Sequence, residues 1–295
     1  MGKNNVELLS PTKDVVFQVL FGEQGSEEIT KAFLEAILNE KITNVDLSKN
    51  PVLRRMKPKD KMGILDVLVK FNNNEYCNIE MQVTKKKEVI ERALFYWSKT
   101  YSRNIKEGEE YSNLGRTIIV LIADFELETL KDLGYCTKWK IIEEEKRKII
   151  LTEDLEIVII ELPKIFKQKV QENGKLLDWL YFLKNPNSEK VGEIMGKNED
   201  IKRAEEKLEK ISQDEIMQKI MDWREDAERD DRAKERKMEK LGKELENKDK
   251  ELENKDKEIQ KIIQNLIKKG MTKEEIEKIT GIHKDEIQKI MKSND

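Results

Sequence analysis

KMGILDVLVKFNNNEYCNIEMQV, residues 61–83, is the stretch on which the reading of the fold turns. Two apolar runs flank three consecutive asparagines, Asn72, Asn73 and Asn74, a composition that suits a turn between paired strands. Side chains alternate between the two faces of a strand. Ile64, Asp66 and Leu68 therefore fall on one face of the first run, and Leu65, Val67, Val69 and Phe71 on the other. In the second run Asn78, Glu80 and Gln82 share one face, while Ile79, Met81 and Val83 share the other. Pairing through the asparagine turn sets Asp66 beside Glu80, with Gln82 one step along.

Carboxylates on a strand are most often the solvated side of an antiparallel sheet, and spacing alone allows that here. Buried, they are costly unless paired or bound to a metal. A divalent cation is the simplest account of two carboxylates and an amide on one face of an otherwise apolar hairpin.

The charge around this hairpin is lopsided. The chain as a whole is 40% charged, 37% hydrophobic and close to neutral at a net −3, so it has no global attraction for a polyanion. Between residues 51 and 106, however, thirteen basic side chains stand against six acidic ones, an excess of seven positive charges. Basic residues around acids suit a polyanion held through a metal. The lone histidine, His283, lies near the end of the sequence, which excludes mechanisms needing a core histidine. No phosphate-cradling glycine loop is present. Cys77 and Cys136 are far apart and lack metal-ligand spacing, which fits a reducing compartment. The opening MGKNNVELLSPTKD has no signal-peptide pattern and no apolar run is long enough to span a bilayer. The expectation is a cytoplasmic protein without a membrane partner.

Outward from the hairpin, Val15, Val16, Val19 and Leu20 mark a first helix after Ser10-Pro11-Thr12, with Asp14 in its first turn. A second helix covers about residues 27–38, and a link then runs through Val45 to the basic run beginning at Arg54. After the hairpin, residues 89–106 form a helix with an apolar stripe of Ile90, Ala93, Leu94 and Trp97. A second stripe, Arg92, Tyr96, Lys99 and Arg103, is either a solvated face or a phosphate-facing surface. TIIVLIADF, residues 117–125, reads as a strand covered on both sides. Strands are also expected within residues 135–143, 148–152 and 157–162, and helices within 165–171 and 175–183.

Composition shifts after Ser188 towards Lys, Glu, Asp, Gln and Asn. A thin apolar stripe there comprises Ile201, Ala204, Leu208, Ile211, Ile216, Ile220 and Trp223. LENKDKE occurs twice in succession from Leu245, which aligns Met238, Leu245, Leu252, Ile259 and Leu266 at one heptad position and leaves Lys248 and Lys255 in the partner position. That describes a marginal coiled coil or a long solvated helix. Gly270, the capping box of Thr272 and Glu275, and Thr280-Gly281-Ile282 punctuate a small helix-turn-helix-like end. The expected organisation is a globular domain over 1–186, a charged helical linker over 187–262 and the small terminal unit over 263–295.

The segments KDVVFQVLFG, GILDVLV, NIEMQV, ERALFYWSKTYSRNIKEGEEY and TIIVLIADF occur in the order and spacing of a known family over about residues 8–165. In these segments the chain resembles the recombination-promoting nuclease/transposase family of the PD-(D/E)XK nuclease superfamily. The resemblance implies an α/β (α+β) fold with a restriction-endonuclease-like mixed sheet flanked by helices, followed by a long helical C-terminal extension. It implies a DNA endonuclease in recombination or transposition, with Asp66 and Glu80 as the motif's two acids. Asp66, Glu80 and the Met81 carbonyl would hold Mg²⁺, or another divalent cation such as Mn²⁺ or Ca²⁺.

Gln82 stands where the superfamily pattern has lysine. Gln orients a water by hydrogen bonds but accepts no proton; a nearby lysine, of which Lys61 is one candidate, would substitute, with Arg92 to neutralise charge. The catalytic set so implied is Asp66, Glu80 and Gln82. The DNA-facing set is Lys61, Lys85, Lys86, Arg92, Tyr96, Lys99 and Arg103, with Asp14 as an accessory acid or a residue that caps its helix. The alternative is a nuclease-like module that binds DNA or oligomerises without cutting. DNA, and a second copy of the chain met through the C-terminal helices, are the expected partners.

Overall fold

A computed structural model describes residues 7–48, 67–72, 74–85, 88–167 and 174–292. The chain divides into two compact units, Met1–Trp223 and Arg224–Asp295.

The first unit is built on a sheet that, among the described residues, has six strands: β1 (Val45–Asp46), β2 (Val67–Phe71), β3 (Glu75–Gln82), β4 (Thr117–Ala123), β5 (Cys136–Trp139) and β6 (Leu155–Glu161). Their order is β1-β2-β3-β4-β6-β5. β3, β4 and β6 run parallel at the centre, while β1–β2, β2–β3 and β5–β6 pair antiparallel. Every residue of β4 is buried, as its unbroken apolar run requires of a strand covered on both faces. The expected hairpin is present: Phe71 pairs with Glu75 across the asparagine turn, and Asn72 takes a left-handed φ of 42°, which asparagine tolerates. Asn74 ends the turn against Gly115. A Cβ on that glycine would lie 1.7 Å from the Asn74 carbonyl oxygen, so this close approach of two backbones requires glycine.

The two faces of the sheet carry different helices. On one, Ile79, Met81, Ile118, Val120, Ile122, Val158 and Ile160 form a continuous core with α1 (Asp14–Gly22) and α2 (Glu27–Leu38). After α3 (Val89–Arg103) and the short α4 (Lys164–Lys167), the helices α5 (Lys175–Lys184), α6 (Glu189–Met195) and α7 (Glu199–Gln213) complete that core. Phe21, Phe33 and Trp179 meet at its centre, with ring centroids 4.8 to 5.9 Å apart. On the opposite face α3 packs through Val89 with Leu121 and Ile159. Its other end is pinned by the Trp97 indole, which donates to the Thr117 carbonyl at 2.8 Å, and by the Tyr101 hydroxyl, which donates to Asp154 at 2.9 Å.

Several expectations are corrected. The link through Val45 contains the edge strand β1. The 148–152 strand is absent; a single bridge, Ile142 to Ile150, stands in its place. Leu94, assigned to the apolar stripe of α3, is exposed, because that helix buries only Val89 and Ala93. The first unit also continues past residue 186. Ile201, Ala204, Leu208 and Ile211 of α7 are sequestered in the main core, as are Met217 and Met221, whereas Ile216 and Trp223 are exposed. A stripe one residue wide per turn is enough to dock a helix whose remaining faces are charged, so a segment read as linker is core. The basic run from Arg54 and the pair Val52-Leu53 lie outside the described residues.

α8 (Glu215–Lys268) is a 54-residue helix, and the division between the units falls within it. Glu239–Lys243, Glu246–Lys250, Glu251–Lys255 and Glu253–Lys257 form i to i+4 ion pairs along it. Each such pair adds a few tenths of a kcal/mol to a solvated helix. In the second unit Ile263, Ile276 and Ile287 form a small core with α9 (Lys273–Thr280) and α10 (Lys284–Lys292). The capping box of Thr272 and Glu275 opens α9, and Gly281 closes it at φ 71°.

Candidate active site

Glu80 sits near the C-terminal end of β3, on the face covered by α3. Asn78, Glu80 and Gln82 alternate onto that face, and across the parallel pair β3–β4 they stand beside Ile119, Leu121 and Ala123. A carboxylate among such neighbours is strongly desolvated, and Glu80 is 2% exposed.

Its two oxygens are treated differently. Oε1 accepts from the Gln82 side-chain amide and from the Arg92 guanidinium, the latter at 3.2 Å. Oε2 is buried and has no hydrogen-bond partner among the described residues. Arg92 reaches Glu80 from the first turn of α3 and also lies 5.8 Å from the Tyr96 ring centroid. It is half-exposed, so one positive charge is already brought to the carboxylate from solvent.

The Gln82 carbonyl accepts from the Asp124 amide at 2.8 Å, on the β4 side. Alternation along a strand therefore turns the Met81 carbonyl the other way, towards β2. The Met81 side chain is buried in the core on the opposite face. The observed set comprises a buried carboxylate oxygen without a partner among the described residues, an amide and one arginine. It suits a hard, oxygen-seeking cation and lacks the thiolate and imidazole donors that softer metals take. Among the described residues no group of three or more His, Cys, Asp or Glu that could hold a metal occurs.

Asp66, Lys61 and Lys86 lie outside the described residues. The described register brings the hairpin to within one residue of Asp66: Val67 pairs with Ile79, Leu68 with Asn78. Of the other expected residues, Lys85, Lys99 and Arg103 are exposed and Tyr96 is half-buried. Lys99 lies 5.8 Å over the exposed Phe95 ring. The structure thus joins Arg92 and Gln82 to Glu80 and leaves Lys99 and Arg103 facing solvent along the same helix. Asp14 opens α1 and accepts from the Val15 amide at 2.6 Å, an arrangement of the helix-end kind.

Other acids of the sheet are engaged elsewhere. Asp124, at the end of β4, pairs with Lys184 of α5. Glu161, 1% exposed, accepts from the Leu127 amide and pairs with the buried Lys164 at 2.6 Å. Lys164 also donates to the Leu130 and Leu133 carbonyls, at 2.5 and 3.2 Å. This closed network ties the 127–133 segment to β6. Arg116, ahead of β4, gathers Glu40 at 2.7 Å, Glu75 at 3.3 Å and Glu156 at 2.7 Å. Burial alone would lower its pKa, but the hydrogen bonds to Glu156 and Glu40 hold it above the ordinary arginine value. Nothing local in the sequence marks this cluster, because its four members come from four separate segments. Cys77 lies beneath it. Burial pushes that thiol well above its ordinary value against the lowering effect of Arg116, so it is a protonated core residue rather than a nucleophile. Burial likewise raises Cys136.

A family model described as PD-(D/E)XK nuclease family transposase matches residues 11–238. No curated protein and no solved structure matches the chain.

Proposed function

Because the chain belongs to the PD-(D/E)XK nuclease family transposases, we propose that it is a divalent-metal-dependent DNA endonuclease that hydrolyses phosphodiester bonds in recombination or transposition. Its mixed sheet flanked by helices, followed by a long C-terminal helix, is the restriction-endonuclease-like architecture that goes with this family. Among the described residues no helix is long and apolar enough to cross a membrane.

One observation carries the chemical reading: the buried Oε2 of Glu80, which has no donor to it among the described residues. Such an oxygen is costly unless positive charge completes it. Asp66 directly precedes Val67 and Glu80 directly follows Ile79, and Val67 and Ile79 are paired. The proposed ligands are therefore Asp66, Glu80 and the Met81 carbonyl. Mg²⁺ is the first choice and Mn²⁺ or Ca²⁺ are alternatives, all oxygen-seeking. When bound, such a cation polarises the scissile phosphate and lowers the pKa of a water. Gln82 holds Glu80 by its amide and orients water through its remaining hydrogen-bonding capacity; it takes no proton. Arg92 fixes the Glu80 carboxylate through Oε1 and offsets negative charge at the site. Lys61, Lys85, Lys86, Tyr96, Lys99 and Arg103 meet phosphates of the DNA backbone.

The same contacts favour a second reading, a DNA-binding module that does not cut. Gln82 and Arg92 satisfy Glu80 Oε1 without a metal, and a glutamine in the lysine position removes one route to activating water. Incubating supercoiled plasmid with the full chain, with and without Mg²⁺, separates the two. Mg²⁺-dependent nicking is the expected result; DNA binding with no nicking in Mg²⁺ or Mn²⁺ would select the second reading.

Self-association through α8 belongs to the proposal. Met238, Leu241, Leu245, Leu252, Ile259 and Ile262 are exposed along it at heptad spacing. Lys248 and Lys255 in the seam weaken the pairing. Sedimentation should show a concentration-dependent dimer that Leu245→Lys with Leu252→Lys converts to monomer; a monomer at every concentration would exclude it.

A further inference from the structure

At the opposite end of β3 from Glu80 the first unit carries an open pocket of about 1010 Å³. The asparagine turn, the end of α3 and the 104–115 segment enclose it. Four cations line it: Lys41, Lys70, Arg103 and Lys106. Two acids also line it, Glu75 and Glu109, and both are engaged. Glu75 pairs with Arg116 at 3.3 Å and accepts from the Asn72 amide at 3.4 Å. Glu109 accepts from the Lys106 backbone amide at 2.8 Å. Lys70 lies 5.8 Å over the Tyr76 ring, and no ion pair involves the side chains of Lys41, Lys70, Arg103 or Lys106 among the described residues. With Glu75 tied to Arg116, the four cations face the single remaining carboxylate charge of Glu109, so the pocket presents net positive charge in a concave polar wall, the condition for holding an anion.

The floor of this pocket is cross-linked by backbone contacts. Asn74 donates to the Asn113 carbonyl at 2.7 Å, Gly115 abuts the Asn74 backbone, and Tyr76 donates its amide to the Arg116 carbonyl at 2.9 Å. Its position is set by α3, which returns along β3 from Arg92 beside Glu80 to Arg103 on the pocket wall. Eleven residues of helix advance about 16 Å. The five residues of β3 from Glu75 to Glu80 advance about the same distance. Phosphates along one strand of a duplex rise about 3.4 Å per nucleotide, so the pocket stands about five nucleotides from Glu80.

We propose that this pocket is a second phosphate-binding site, which grips the nucleic-acid backbone about five nucleotides from the cut and so fixes the strand along α3. The inference rests on the endonuclease reading and adds to it a footprint: a substrate must extend past the cut on one side to be held. The occupant is a phosphate within a strand rather than free inorganic phosphate, because four cations spread over an open pocket suit an extended polyanion better than one small ion.

The test is DNA binding by the full chain across a salt series. Two duplexes are compared, one reaching about ten base pairs beyond the cut and one reaching about two. Lys41→Gln, Arg103→Gln and Lys106→Gln are combined; all three residues are exposed, so the fold is not at stake. The control combines Lys146→Gln, Arg147→Gln and Lys148→Gln, an equal loss of charge at exposed positions away from the pocket. The pocket variant should lose about two to three in the slope of log K against log salt on the long duplex, and nothing on the short one. The control variant should match the wild type, and inorganic phosphate should compete no better than an equal ionic strength of chloride. Equal slopes for all three proteins, or equal losses for the two variants, would overturn the pocket while leaving the Glu80 site to be judged by nicking. Phosphate competing better than chloride would make the occupant a free anion and likewise overturn it. Absence of salt-dependent binding by the wild type would remove both readings together.

Discussion

Glu80→Gln should cut Mg²⁺-dependent nicking of supercoiled DNA by at least about a thousandfold while leaving the fold intact. The size follows from the proposed role: a metal that stabilises transition-state charge contributes several kcal/mol, and about 4 kcal/mol is a thousandfold in rate. Folding should be nearly untouched. The side chain keeps its shape, Arg92 and Gln82 can still meet an amide oxygen in place of Oε1, and the Arg92 charge left without its carboxylate is half-exposed and turns to water at small cost. That pairing of effects is diagnostic. A carboxylate whose business is structural loses stability on this change, whereas a metal ligand loses activity alone. Asp66→Asn should behave alike, and the double variant should be no worse than either single one, since the two would act as one unit. Nicking within tenfold of wild type in either variant, with unchanged thermal stability, would remove the carboxylates from the chemistry.

Arg116→Met should lower the stability of the first unit by about 3 kcal/mol, the usual cost of taking one partner from a buried ion pair. That is about 10 °C in Tm for a unit of this size. Arg116 is the only cation within salt-bridge distance of Glu156 among the described residues, at 2.7 Å, and the Glu156 side chain is 4% exposed. Without the guanidinium that carboxylate is buried and uncompensated. Glu40 and Glu75 are more exposed and turn to water at small cost. Adding Glu156→Gln to Arg116→Met should therefore recover a good part of the loss, whereas adding Glu40→Gln should recover little. Thermal unfolding of the three variants measures this. Equal rescue by the two glutamines, or a loss under 1 kcal/mol in the parent variant, would contradict it. The network also links the N-terminal ends of β3, β4 and β6 to the link after α2. Its loss should thus loosen the pocket at the asparagine turn more than the Glu80 end of the sheet.

The two clusters differ in how legible they are. The Glu80 site is written in consecutive residues: alternation alone puts Glu80 and Gln82 on one face, and the asparagine turn fixes the register seen between β2 and β3. β4 is legible for the same reason, as an unbroken apolar run. Arg116 has no such signal. Glu40, Glu75, Arg116 and Glu156 are far apart in sequence, and each alone reads as an ordinary surface charge. Lys41 is hidden likewise, whereas Lys70, Arg103 and Lys106 contribute to the local basic excess without revealing that they share a pocket.

The misreading of α7 has a compositional cause. Its sequence, EDIKRAEEKLEKISQ, is mostly charged, and the four residues that seat it in the core are diluted among them. A two-residue strand such as β1 carries too little pattern to be seen at all. Spacing alone turns Leu94 inward, yet α3 is held at its ends, by Val89 and Ala93 near one and by Trp97 and Tyr101 towards the other. Ile90 packs beside Val89, while Leu94 and Phe95 face out.

Direct titration of Mg²⁺ or Mn²⁺ into the full chain, followed by calorimetry without DNA, tests the central claim that two acids of neighbouring strands share one cation. The account predicts saturable binding in the wild type that is lost in Asp66→Ala and lost equally in Glu80→Ala. Binding that survives Asp66→Ala, or a wild-type protein that takes up no divalent cation with or without DNA present, would contradict it.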